Sequence, residues 1–115
     1  MHVLSSPKFK RRRSVRYPVH LPVLAKLPGA PLPVVGRSEN ISLHGMLFLS
    51  DFLILERSAV ELTINLSGTP ERPASLTAHG KVLRVQPQPA GNFAIAVAFD
   101  YPIAIRHISA AGPVG

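Results

Sequence analysis

The sequence predicts an all-β domain, an antiparallel barrel or sandwich, and two observations carry that prediction. Several segments alternate large apolar residues with small or polar ones, the period of a half-buried strand whose successive side chains point to opposite faces. Between them stand Gly-, Pro- and Asn-rich stretches of the kind that make turns, whereas no segment has a long, well-capped helical period.

The elements follow in order. Val19–Leu27 and Leu32–Glu39 are the first two expected strands, separated by the breaker LPGAP at 27–31. Pro22 and Pro33 push this pair toward a sheet edge, because proline cannot donate to a ladder. Gly45–Leu49 is the third strand. FLILERSAV reads as a turn of helix or as a loop. In VELTINL the residues Val60, Leu62, Ile64 and Leu66 share one face, opposite Glu61, Thr63 and Asn65. SGTPERP at 67–73 precedes a strand over Leu76–Val85, and QPQPAGN at 86–92 leads into FAIAVAF. There Phe93, Ile95, Val97 and Phe99 alternate with alanines, a pattern suited to a crowded, curved sheet. Six strands in 115 residues suit one small domain with a single core. The tail YPIAIRHISAAGPVG opens with a possible short helical turn, which Pro113 interrupts.

Charge is distributed unevenly. The net charge is +7. Lys8, Lys10, Arg11, Arg12, Arg13 and Arg16 hold six positive charges near the N-terminus with no acid among them. The rest of the chain carries seven basic groups against six acidic ones and is nearly neutral. A flexible cationic arm beside a neutral body implies an anionic partner: nucleic acid, nucleotide phosphate or anionic lipid.

Other classes find little support. Without cysteine the chain can form neither disulfides nor thiolate metal sites. The five histidines show no metal-ligand spacing, and the six acids offer no obvious carboxylate pair. No Ser-His-Asp or phosphate-loop pattern occurs, so no catalysis, metal or cofactor is expected. The longest apolar run, Phe93–Phe99, is far below a membrane span, and residues 1–4 are too short for a signal sequence. A soluble, cytoplasmic protein is expected.

Two motifs sharpen the reading. Arg12 and Arg16 form RxxxR within RRRSVRYPV, and Asn40, Ser42 and Gly45 form [D/N]xSxxG within NISLHG. With this composition RxxxR arises by chance in about 0.7 copies per chain, but the second motif in only about 0.03, so the second carries the weight. In this order, with a strand pair between, the motifs resemble those of the PilZ domain family. GKVLRV at 80–85 and FAIAVAF at 93–99 look like that family's later barrel strands.

The resemblance implies a small barrel of about six strands over residues 19–100, a basic arm over 1–18 and a tail over 101–115. It implies a receptor for the second messenger cyclic di-GMP, with ligand contacts at the matching Arg12, Arg16, Asn40, Ser42 and Gly45. It further implies that the residue before RxxxR governs whether one ligand or a stacked pair binds. Here that residue is Arg11, whose extra guanidinium favours the pair. The chemistry agrees, since a guanidinium bonds guanine O6 and N7, pairs with phosphate and stacks on purines. Asn40 offers donor and acceptor, Ser42 a hydroxyl, and Gly45 either a positive φ or close backbone approach.

Singly, Asn40 and Ser42 also suit ordinary turns, and Arg13, Lys8 and Lys10 suit solvated charges. His44 reads as a surface histidine rather than a ligand. Two other functions compete. A nucleic-acid-binding barrel is disfavoured because the phenylalanines sit mostly in core-like alternation, leaving few stacking platforms. A PilZ-like interaction module without ligand would lack these motifs, and both are present. With no second output domain in view, an unidentified effector protein is the expected partner.

Overall fold

A computed structural model describes residues 16–66 and 74–103. The expected breaker at 67–73, the arm before Arg16 and the tail after Ile103 lie outside the described residues.

Six strands form one closed antiparallel barrel: β1 (Pro22–Lys26), β2 (Val34–Ile41), β3 (Gly45–Ser50), β4 (Ala59–Asn65), β5 (Ser75–Pro87) and β6 (Phe93–Phe99). Around the barrel they run β1-β2-β3-β6-β5-β4, with β4 returning to β1. Alternation sets which side faces in: Val23 and Ala25, Met46 and Phe48, Val60, Leu62 and Ile64, Val82, and Ile95, Val97 and Phe99 fill a continuous core. Met46, Phe48, Leu62, Ile64 and Ile95 are fully enclosed, so the interior is packed with side chains and holds no channel.

The turns account for the chain reversals. Leu27-Pro28-Gly29-Ala30 closes with Ala30 N–H donating to Leu27 O at 3.1 Å, and Gly29 takes φ 77°. Proline second and a left-handed glycine third make this a type II turn. At Gln88–Asn92 a turn over Pro89 and Ala90 is followed by Gly91 at φ 95°, with Gly91 N–H on Gln88 O at 2.9 Å. That is a hairpin with a left-handed closing residue, and it joins β5 to β6.

The strands expected from sequence are all present, with one correction. Pro22 and Pro33 do not mark an edge, because β1 is paired with β2 on one side and β4 on the other. Pro22 is the first residue of its strand and Pro33 precedes its own, positions where a missing N–H is tolerated. Of the two readings of FLILERSAV the structure shows the loop, which enters β4 at Ala59. Ile54, 2% exposed, plugs the core from this loop while Phe52, Leu53 and Leu55 face outward. Ser58 N–H donates to Leu55 O at 3.2 Å, and Arg57 takes φ 74°, a left-handed conformation uncommon for a side chain of this size. The helical turn expected in the tail lies mostly outside the described residues; Tyr101–Ile103 are not helical.

Before β1 the chain already belongs to the wall. Tyr17 and Ile41 exchange both backbone bonds, Tyr17 N–H to Ile41 O at 2.8 Å and Ile41 N–H to Tyr17 O at 2.9 Å. Next to this bridge stands Ser38, whose residue is 0% exposed. Its hydroxyl donates to Val19 O and accepts Leu21 N–H at 2.8 Å, and its own N–H donates to Leu21 O at 2.9 Å. A buried hydroxyl needs partners, and here they are the residues at the root of the arm.

Candidate functional site at the Arg16–Asn40 junction

β2 and β3 are joined by a tight hairpin whose tip is Leu43 and His44. Ser42 N–H donates to Gly45 O at 2.8 Å, and the Ser42 hydroxyl donates to the same carbonyl at 3.1 Å. Donation still leaves the hydroxyl oxygen its acceptor lone pairs. The tip is held against the end of β6, since His44 O accepts Phe99 N–H at 2.8 Å and Leu43 O accepts Ile103 N–H at 3.1 Å.

Gly45 has no positive φ; close approach is what requires glycine there. A Cβ at that position would lie 2.5 Å from Val97 O of β6. Of the two reasons the sequence offered for this glycine, the structure selects the second.

Asn40 reaches the outer face through an irregularity. The β2–β3 register slips between Ser38 and Asn40, with Glu39 as the extra residue. A bulge of this kind reverses the alternation beyond it. Ile41 therefore points into the core and Asn40 out, where it meets the arm: Arg16 Nη1 donates to Asn40 Oδ1 at 3.1 Å. The Tyr17–Ile41 bridge places Arg16 for this bond.

Arg16, Ser42, His44 and Gly45 line one groove of about 240 Å³ whose floor includes Ala96 and Ala98 of β6. Of the residues named from sequence, Arg16, Asn40, Ser42 and Gly45 are thus brought together, while Arg11 and Arg12 lie outside the described residues. His44 is exposed at the tip, as expected, yet it borders the groove. Sequence reasoning missed Ser38, the alanine floor and Leu83, which stands on the groove's far side. Only the alanines of FAIAVAF left a trace, as the small residues of an alternating strand. A larger hollow of about 310 Å³ lies by the β1–β2 turn, lined by Lys26, Glu61, His79 and Asp100 among others, and contains none of the motif residues.

Among the described residues no cluster of three or more His, Asp or Glu side chains could hold a metal ion, and no helix is long and apolar enough to cross a membrane.

A six-stranded closed antiparallel barrel carrying an arginine–asparagine junction beside a small-residue groove defines the class of domain. The model of the PilZ domain family matches residues 10–110, and the chain belongs to that family of cyclic di-GMP receptor domains. A solved structure with the same fold is that of the Bacillus subtilis inhibitor of motility, MotI/DgrA, with a TM-score of 0.66 and 19% identity. The match covers 86% of this chain and 47% of that one, so this chain spans about half that protein's length. No curated protein sequence matches.

Proposed function

We propose that the domain is a cyclic di-GMP receptor whose N-terminal arm orders over the ligand and so alters a surface read by an effector protein. The observation that carries this reading is the Arg16–Asn40 hydrogen bond. It joins the two motifs across 24 residues of chain and fixes the second arginine of RxxxR at the mouth of the groove. Arg12 is four residues upstream in sequence and supplies a second guanidinium. Cyclic di-GMP is a dianion with two guanines, and arginine is the side chain that answers both phosphate and guanine edge.

The reading includes no chemistry. The groove supplies hydrogen-bond donors, acceptors and small apolar surface, the equipment of recognition rather than bond making. Transmission runs through the arm. Its root is bonded to β2 at Tyr17 and through Ser38, so ordering residues upstream of Arg16 presents a new surface on a fixed base.

Calorimetric titration of the chain with cyclic di-GMP, GTP and single-stranded oligonucleotides tests the proposal. Saturable binding of cyclic di-GMP alone is expected. Tighter binding of oligonucleotides would favour the nucleic-acid reading, and no binding of any of the three would favour a ligand-free interaction module.

A further inference from the structure

The barrel's ladders contain two bulges, and both fall on one row of the outer face. In β2 the register slips at Glu39; in β5 it slips between Val82 and Arg84, with Leu83 as the extra residue. Val82 is buried, and plain alternation would turn Arg84 inward as well. The bulge instead sends Arg84 outward, directly paired with Ala96. Ala96 pairs in turn with Leu47, and Leu47 with Asn40. Asn40, Leu47, Ala96 and Arg84 therefore form one row across four strands. Followed along the curved wall, three strand spacings of about 14 Å in all separate its ends.

Between those ends the floor is low. Ala96 and Ala98 present only methyl groups, and Gly45 presents none. Leu83 rises at the far side of the same groove and is 63% exposed, a large apolar side chain that the bulge holds in water. Among the described residues no carboxylate pairs with Arg84. The groove is bordered by Arg16, which is bonded to Asn40, and by Leu83, with Arg84 next to Leu83 just outside its lining.

A cyclic dinucleotide carries its two phosphates on opposite edges of the macrocycle, so cations on one wall alone neutralise one edge. We propose that Leu83 and Arg84 form the far half of the ligand site. Leu83 packs on the face of a purine lying over the alanine floor, and the Arg84 guanidinium pairs with the phosphate remote from Arg16. The proposal rests on the cyclic di-GMP reading and extends it to a second wall.

The test titrates cyclic di-GMP into the native chain, Leu83→Ser, Arg84→Ala, Arg84→Lys and, as a control on the opposite hollow, Lys26→Ala, with thermal melts for each. Leu83→Ser and Arg84→Ala are expected to weaken binding about tenfold, the size of a lost charge-assisted bond or apolar contact, with melts unchanged. Arg84→Lys should recover part of the loss and Lys26→Ala should match the native chain. Native binding with Leu83→Ser and Arg84→Ala both within about twofold of native overturns the far wall alone. A lysine at 84 no better than alanine overturns the phosphate assignment. Absence of binding by the native chain overturns the ligand reading and this proposal with it.

Discussion

Arg16 and Asn40, 24 residues apart in sequence, are bonded guanidinium to amide oxygen at 3.1 Å. Neither residue is enclosed, so the bond contributes little to stability; its consequence is positional. The arginine is held near the groove before any ligand arrives, and the ordering cost of that one side chain is already met.

Arg16→Ala and Arg12→Ala are each expected to weaken cyclic di-GMP binding by at least about tenfold while leaving the thermal melt of the barrel unchanged, since a charge-assisted hydrogen bond contributes about 1.5–3 kcal/mol. Calorimetry on both variants checks this. Native affinity in both would remove the motif from the site.

Gly45→Ala should destabilise the fold by about 1–3 kcal/mol, the range for forced overpacking. The new Cβ would stand 2.5 Å from Val97 O, and β6 cannot move without disturbing the core residue itself. Chemical denaturation measures the difference. A variant as stable as the native protein would show that β3 and β6 separate freely at this point.

Ser38→Ala should cost about 1–3 kcal/mol, because the Val19 carbonyl and Leu21 N–H lose their side-chain partner in a buried setting. It should also weaken ligand binding, although Ser38 lies under the arm and not in the groove. Stability lost with ligand affinity intact would separate the arm's root from the site.

Arg57→Gly should raise stability by up to about 1 kcal/mol, since a left-handed conformation costs a side-chain-bearing residue more than the added unfolded-state freedom of glycine. Its φ of 74° follows Glu56 in the turn that leads into β4. A lower melting temperature in the variant would show that the arginine side chain contributes something that offsets the strain.

Arg11→Leu should change stoichiometry. The native chain is expected to take two cyclic di-GMP molecules at saturation, because a stacked pair brings four negative charges together and a third arginine offsets them. The variant should shift toward one. A ratio of one in both proteins would refute the role given to Arg11.

Much of the barrel was legible because its strands obey a strict period. FAIAVAF became β6 without adjustment, and VELTINL became β4 to within a residue at either end. The motif residues were legible as types, since few side chains other than arginine, asparagine and serine answer a guanine or a phosphate. The second strand was less so. It was expected to stop at Glu39 but continues to Ile41, carrying Asn40 inside the ladder, because the bulge lets pairing with β3 resume at Leu47 and Met46 while Tyr17 bridges Ile41 on its other side. The proline positions misled for a related reason: closure gives β1 a neighbour on each side, and closure depends on β4, some forty residues away. Arg84 and Leu83 were invisible as site residues because alternation in LRV says nothing of where a ladder gains a residue. That slip is decided by how β5 meets β6, a tertiary event with no local signature.

The two extra residues, Glu39 and Leu83, act on the chain as single-letter insertions act on a reading frame. Pair Glu39 in register and every side chain beyond it would exchange inside for outside, turning Asn40 into the apolar interior and Ile41 into water; delete it, and the ladder becomes regular with Asn40 still outward and Ile41 still inward. Pairing Leu83 in register would likewise bury the Arg84 guanidinium, whereas deleting Leu83 would leave Arg84 outward and remove only the leucine. The extra residue in each strand therefore adds an outward side chain without changing which residues face the core. Substitutions can retune the groove one side chain at a time, whereas deleting the extra residue at either bulge would take away one outward side chain and leave the core pattern in place.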